Sequence, residues 1–581
     1  MKIALTAVSL LMLGIPATFG AVYYVDANGN DANAGGSGSP WRTIQKAANT
    51  VVAGDTVRVQ PGNYPERVSE STDGSAGRFI TYVADGNVVC YGFNITGDYV
   101  RVIGFEITHP TSLGYAGIAV SGASHVELLD NNIHNTSTTS VSPSGANFLV
   151  VRGNIMNYSG SPGNNSGAGR KTIDDGGSSQ TNVLIEYNII SHTTDYICPN
   201  GGKYIIRNNV MGPTTTTDFG GTPHVDGYQA NAQTRYGFME GNWHVDNAIT
   251  DSHFALIEAP VSGRNANFTA IKNVSLRSGD QLWFQMRDGT NLFAAHNTVG
   301  QVGYGPRGGP GSSGFVYVWS DRNGPSTGNA AHNNIYTNVT RGVVYTISSG
   351  SSLRHSHDLV YPAASDLVGG SNGDLEVDPQ FIDYGANNVL LKSTSPARDS
   401  GTSLTTVTSS SGSGNSFTVA EAGWFHDGFE GLAEGHKIYV GDDNNLTVTD
   451  VDYSTRRITV AQSISWTSGD GVGYAYLGLK PDRGAYEFGA LLLTEATLAA
   501  DGDDYYVTPN GDTRFVVFYQ NGIPHTTIAS SPFRATIPGG GITAKAYALH
   551  PQARPVVNAT PGDGDPSRPA VPQNLRVIGV N

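Results

Sequence analysis

VELLDNNI (Val126–Ile133), FLVVRGNI (Phe148–Ile155), VLIEYNII (Val183–Ile190) and YIIRNNVM (Tyr204–Met211) are four versions of one phrase, a short alternating apolar segment closed by Asn and an aliphatic residue. The phrase returns as FMEGNW at Asn242, AIKNVS at Asn273, AAHNTV at Asn297 and AAHNNI at Asn334. Counted from Asn132 through Asn154, Asn188 and Asn209 to Asn334, the intervals are 22, 34, 21, 33, 31, 24 and 37 residues. A coil of about 22 residues, with insertions of variable length gathered on one side, accounts for that spread. One such unit cannot bury its apolar face alone, so the coils must stack, each strand pairing in parallel with its equivalent in the next. Asn132, Asn154, Asn188 and Asn209 should then share a column as a ladder of side-chain amides with a structural role. The expected fold is all-β, a right-handed parallel β-helix of about ten coils between roughly residues 55 and 400.

Outward from the repeat, the flanks set domain boundaries. Trp41, Ile44, Ala48 and Val51 in WRTIQKAANTV lie at helical spacing, with Ser39 placed to cap and Pro40 at the first helical position. This reads as a helix closing the N-terminal end of a β-helix that spans residues 21–401. Residues 402–479, with strands such as HKIYVG, NLTVTDV and RRITVA, read as a small inserted β-domain. Residues 480–489 then complete the β-helix, residues 490–559 suggest an immunoglobulin-like sandwich, and residues 560–581 a Pro-rich linker or tail. Met1, Lys2 and the apolar run Ile3–Ala17 have the form of a signal peptide over residues 1–20, so a secreted protein is expected.

Composition narrows the partners. With 34 Lys and Arg against 49 Asp and Glu, a net charge of −15, and no basic cluster, nucleic acid is not expected as a partner. No later stretch is apolar enough to span a bilayer, and a soluble monomer is expected. The two cysteines, Cys90 and Cys198, do not make a disulfide framework.

YYVDANGNDANAG (Tyr23–Gly35), PWRTIQKAA, AGDTVRVQPGNYPERV and GDYVRVIGFEI (Gly97–Ile107) resemble the opening of secreted pectate-lyase-like β-helix proteins. They look most like polysaccharide lyase family nine and the related alginate- and chondroitin-degrading lyases. DPQFIDYGANNVLLKSTSPARDSG (Asp378–Gly401) and KPDRGAYEFG (Lys480–Gly489) resemble the closing part of the same superfamily. The resemblance implies the fold and a polysaccharide substrate. It also implies clustered aspartates for calcium and a lysine base, roles that the spacing here does not carry onto particular residues. The superfamily also holds hydrolases, epimerases and adhesins, and fold does not fix function.

Chemistry should sit where outward side chains of adjacent coils form a grid about 4.8 Å apart. In HVDGYQ, with Val225 and Gly227 inward, His224, Asp226 and Tyr228 face out together, groups suited to proton transfer, with Gln229 beside them. An outward polar ladder that merely orders a loop is the alternative. Asp174 and Asp175 stand adjacent with Lys171 nearby, which suggests calcium held by oxygen ligands, or else a solvated turn at DDGG. Trp283, Gln285 and Arg287 of one coil and Tyr317 and Trp319 of the next are read as an outward sugar-stacking surface, with covering by a loop as the alternative. Arg287 would face a sugar carboxylate, or Asp288 or Asp321. The expected activity is an endo-acting lyase on an acidic, uronic-acid-containing polysaccharide. Its candidate catalytic residues are His224, Asp226, Tyr228, Lys171 and Arg287, and its calcium ligands Asp174 and Asp175. The alternatives are an inverting glycoside hydrolase using Asp174 and Asp226, two coils and so about 9.6 Å apart, and a non-catalytic carbohydrate-binding or adhesive protein.

Overall fold

The structure is a computed structural model that describes residues 20–160, 171–174, 180–215, 218, 224–230, 235–247, 251–258, 266–277, 282–287, 289–300, 316–319, 325–338, 344–362, 372–552 and 554–561. Residues 1–19 of the expected signal peptide and residues 562–581 of the expected tail lie outside these.

Parallel strands stack in three columns. The first holds thirteen strands from Val22–Val25 to Leu353–Ser356, every neighbour pair in parallel register, as with Leu149 opposite Val183 and Val183 opposite Tyr204. The second runs from Gly62–Glu70 through Ile118–Val120, Lys171–Asp174, Asp195–Cys198, His224–Ala230, Asp251–Glu258, Leu282–Arg287 and Val316–Trp319 to Tyr345–Ile347. The third runs from Glu106–Ile107 to Leu375–Glu376. The stack is longer than the expected ten coils, because Val22–Val25 already pairs in parallel with Thr56–Val59. One apolar core runs through the coils, from Val25 and Val57 at one end to Tyr345 and Val360 at the other.

The asparagine ladder sits between the first and third columns. Asn154 donates from its backbone N–H and from Nδ2 to Oδ1 of Asn188, at 2.9 and 3.0 Å. The same pair of bonds joins Asn188 to Asn209, Asn209 to Asn242, Asn242 to Asn273, Asn273 to Asn297 and Asn297 to Asn334. In the first repeat the ladder residue is Asn131, which donates to Asn154, and not Asn132, whose half-buried side chain occupies the slot of Ile155 in the next coil. The cause is the turn: each ladder residue follows a left-handed one, Asp130, Gly153, Tyr187, Asn208, Gly241, Lys272, His296 or Asn333, and that position fixes the register. Past Asn334 the column continues with Asp358 and Asp374.

At the N-terminal end the helix covers only Ile44–Ala48, and its cap is Thr43, whose hydroxyl accepts from the Lys46 N–H, not Ser39. Trp41, Ile44, Ala47, Ala48 and Val51 all join the core.

Residues 405–474 form a six-stranded antiparallel sheet, and residues 496–561 form two four-stranded sheets around Val516, Phe518, Ile537 and Ala546. Thr560–Pro561 pairs with Thr497 and Leu498, so the chain after Ala559 begins as an edge strand. Both additions pack on the outside of the first column. Trp424 stacks on Phe293 with ring centroids 4.5 Å apart, and Phe515 and Tyr547 close over Tyr187. The outer side of the third column is covered by Phe381, Val389, Leu391, Ala485 and Tyr486. Among the described residues, neither addition packs on the outer side of the second column.

Candidate functional site

In the second column, parallel register aligns Lys171 with Asp195, Asp195 with Asp226, and Asp226 with His253. Four successive coils therefore place an ammonium, two carboxylates and an imidazole in one row, about 4.8 Å apart from strand to strand. The next outward row is Asp174 and Cys198 on neighbouring coils, then Leu256 and Gln285 further along.

Between the two rows the strands bend. Val225 and Tyr228 both enter the core although three residues apart, which a regular alternation forbids. The bend falls at Gly227, where a Cβ would lie 2.5 Å from the carbonyl oxygen of Phe254. It resets the alternation, leaving Asp226 outward before it, Tyr228 inward and Gln229 outward and half-buried after it. The same double inward step occurs at Tyr196 and Ile197, Phe254 and Ala255, and Trp283 and Phe284.

Two expectations are corrected by that bend. Tyr228 packs inside the helix with its ring 4.7 Å from Phe268. Trp283 is fully buried and stacked on Phe254 at 5.5 Å, so it offers no surface to a sugar. Gln285 lies in the outward row but is buried. For His224, Arg287, Tyr317 and Trp319 the strand position alone is described; Arg287 pairs with Glu258 and Trp319, and Tyr317 with Gln285. Their side chains and all of Asp175 lie outside the described residues.

The row is held by direct contacts. His253 Nδ1 is 2.8 Å from Asp226 Oδ1, the carboxylate fully buried and the imidazole 5% exposed. The Asp226 backbone N–H donates to Asp195 Oδ1 at 3.3 Å. Lys171 Nζ stands 3.5 Å from Asp174 Oδ1. Burial works against the Lys171 charge, but Cys198, Asp174 and Asp195 outweigh it and the ammonium is held above its ordinary pKa. At neutral pH Lys171 is thus a cation and not a ready base. Burial and Asp195 push the Cys198 thiol well up, keeping it protonated and unreactive.

His253, Asp195 and Cys198 are additions to the residues expected from sequence. Their signal lay in HFALIEAP and DYICPNGG, where each strand places its first polar residue level with Asp226. An imidazole oriented by a buried carboxylate is equipped to accept a proton, and a fixed cation three coils away can hold a substrate carboxylate. Asp174 has an ammonium as its partner, so the calcium expectation rests on Asp174 together with a residue outside the described set.

Among the described residues no helix is long and apolar enough to cross a membrane. A family model described as a protein of unknown function (DUF1565) matches residues 27–72. The uncharacterized protein YwoF of Bacillus subtilis (strain 168) is 29% identical over 143 residues, and the match takes in 21% of this chain and 30% of that protein's length. Of solved structures, pectate lyase Pel9A is similar at 15% identity with a TM-score of 0.41, over 68% of this chain and 94% of that one. The GH136 lacto-N-biosidase from Eubacterium ramulus is similar at 11% identity with a TM-score of 0.40, over 58% and 67% respectively. By its own three columns of stacked parallel strands and its amide ladder, the chain is a parallel β-helix.

Proposed function

We propose that this protein is a secreted carbohydrate-active enzyme that binds an acidic polysaccharide along the outer side of the second column and cleaves it by β-elimination. The observation that carries the reading is the His253–Asp226 pair at 2.8 Å, in one row with the Lys171 cation. In this reading His253 takes the C5 proton of a uronate residue, Asp226 stabilises the imidazolium, the C4–O4 bond breaks as the C4=C5 double bond forms, and the departing O4 takes a proton from the imidazolium or from water, leaving an unsaturated uronate. Neutralising the sugar carboxylate lowers the cost of the carbanion-like transition state. Lys171, three coils or about 14 Å from His253, and calcium at Asp174 and Asp175 would hold uronate carboxylates further along the bound chain.

A hydrolase is the second reading, favoured by Asp195 and Asp226 on adjacent coils. Strands about 4.8 Å apart bring two carboxyls nearer to the retaining separation of about 5–5.5 Å than to the inverting one. The test is to incubate the protein with uronate-rich and neutral polysaccharides and to follow both ultraviolet absorbance and reducing ends. Absorbance growing with product supports elimination. Reducing ends without absorbance support hydrolysis, and retention on a polysaccharide column with neither signal marks a binding protein. Chelator abolishing activity, with calcium restoring it, would support the metal.

A further inference from the structure

Where the first column, the 405–474 sheet and the C-terminal sandwich meet, they enclose a cavity of about 480 Å³, within the range of about 300–1,000 Å³ found for small-molecule sites. Its charged lining is unevenly satisfied. The carboxylates have partners. Glu240 Oε1 accepts from His426 Nε2 and His436 Nε2, each at 2.7 Å. Glu487 accepts backbone N–H groups of Asp482 and Leu477. Asp512 Oδ2 takes the Leu491 N–H and His550 Nε2, both at 2.8 Å.

Glu240, His426 and His436 have the composition of a metal site, but the histidine tautomers oppose it. The Gly428 N–H donates to His426 Nδ1 and the His426 N–H donates to His436 Nδ1. Both Nδ1 atoms are acceptors, so both neutral rings carry their proton on Nε2 and spend it on Glu240. A ligating imidazole needs the opposite arrangement, the metal on one nitrogen and a donated proton on the other. The three side chains therefore form a closed hydrogen-bonded clamp between the β-helix and the inserted sheet.

The cations lack that satisfaction. Arg207 gives Nε to Glu186 at 2.7 Å, but its buried Nη1 has no hydrogen-bond partner. Arg514 Nε is buried without one. Lys272 makes no ion pair among the described residues and lies over the Tyr474 ring, its Nζ 5.7 Å from the centroid, and burial holds its ammonium below its ordinary pKa. Unmet donors on cationic side chains around one cavity are costly unless an acceptor of opposite charge enters.

We propose that this cavity binds the oxyanion group of a small solute, a carboxylate or a phosphate, through Arg514, Lys272 and Arg207. The planar guanidinium groups suit two-oxygen acceptors, and the ammonium adds charge without directional demand. A ligand there would contact all three units and so stabilise their assembly by mass action.

The experiment is thermal unfolding of the full chain titrated with sodium glucuronate, inorganic phosphate, glucose, and sodium chloride at matched ionic strength. The expected result is a Tm that climbs with the logarithm of glucuronate or phosphate concentration and is unmoved by glucose or chloride; the anion with the larger shift identifies the source. In Arg514→Gln and Lys272→Gln the shift should fall at least severalfold. Without ligand, Arg514→Gln should be at least as stable as the parent, since it removes an unpaired buried donor. No shift with either anion, an undiminished shift in both variants, or a lower ligand-free Tm for Arg514→Gln would each overturn the proposal.

Discussion

His253 and Asp226 belong to neighbouring coils 27 residues apart in sequence, yet parallel register sets them level and closes Nδ1 to Oδ1 at 2.8 Å. The carboxylate is fully buried and fixes the ring, so the pair's chemistry depends on Asp226 keeping its charge. Asp226→Asn should keep the shape and lower turnover on a cleaved polysaccharide by on the order of 10²-fold or more, as should His253→Gln. Circular dichroism unchanged with activity lost supports the assignment. Full activity in both variants would move the chemistry to another face.

Trp283 gives a sharper separation of binding from packing. Buried against Phe254, its truncation leaves a cavity, so Trp283→Ala should cost about 3–5 kcal/mol in chemical denaturation. A variant that unfolds at the parent's denaturant midpoint but binds polysaccharide poorly would contradict that placement.

The repeat was legible because its period and its amide are both required by stacking. Which Asn of the Asp130–Asn131–Asn132 run enters the ladder was not, because that is set by a left-handed residue one position earlier, and Asp130 does not advertise this conformation as Gly153 does. The site was legible to the strand, in HVDGYQ, but not to the side chain. Simple alternation sends Tyr228 and Trp283 outward, and a bend in each strand, at Gly227 in one and at the Trp283–Phe284 double inward step in the other, turns them in. The His253 partner was hidden for a related reason: register between coils depends on loop insertions that spread the interval between Asn repeats from 21 to 37 residues.

The ladder register predicts a contrast between neighbours. Asn131→Ala removes the acceptor of the Phe105 N–H and the Nδ2 donor to Asn154 and to the Val102 carbonyl, leaving the backbone N–H bond to Asn154 in place, and should cost about 2–4 kcal/mol. Asn132→Ala, at a half-buried position whose next-coil equivalent is Ile155, should stay within about 0.5 kcal/mol. Equal losses at the two positions would show the ladder to be misassigned.

The end of the ladder predicts how stability follows pH. Asp358 replaces the amide: its Oδ1 accepts from Asn334, its Oδ2 from the Tyr345 hydroxyl at 2.7 Å, and its backbone N–H donates to Asp374 Oδ1. Burial, reinforced by Asp374, pushes its carboxyl up to about 7, and burial raises Asp482 to about 6. A carboxyl raised in the folded state holds its proton there while the unfolded chain, near 4, has released it. Between about pH 4 and 7 the unfolded state binds fewer protons, so stability falls as pH rises and levels off above 7. Glu186 acts in the opposite sense: burial alone would raise it, but Arg207 and Arg152 hold it down at about 2, so its contribution is lost only as pH drops from about 4 towards 2. Burial of His296, His332 and His436, which holds them at about 3, 4 and 4, works the other way between about pH 4 and 6.5, so the Asp358 contribution is read from a variant and not from the parent's own optimum. Asp358→Asn supplies an amide that can donate to Asp374, extending the ladder by one rung, and should be more stable than the parent at pH 8 by on the order of 2–4 kcal/mol with little gain at pH 4. Denaturant unfolding of parent and variant across pH 4 to 8 measures this directly, and a difference that does not grow with pH would mean that Asp358 is already ionised in the fold.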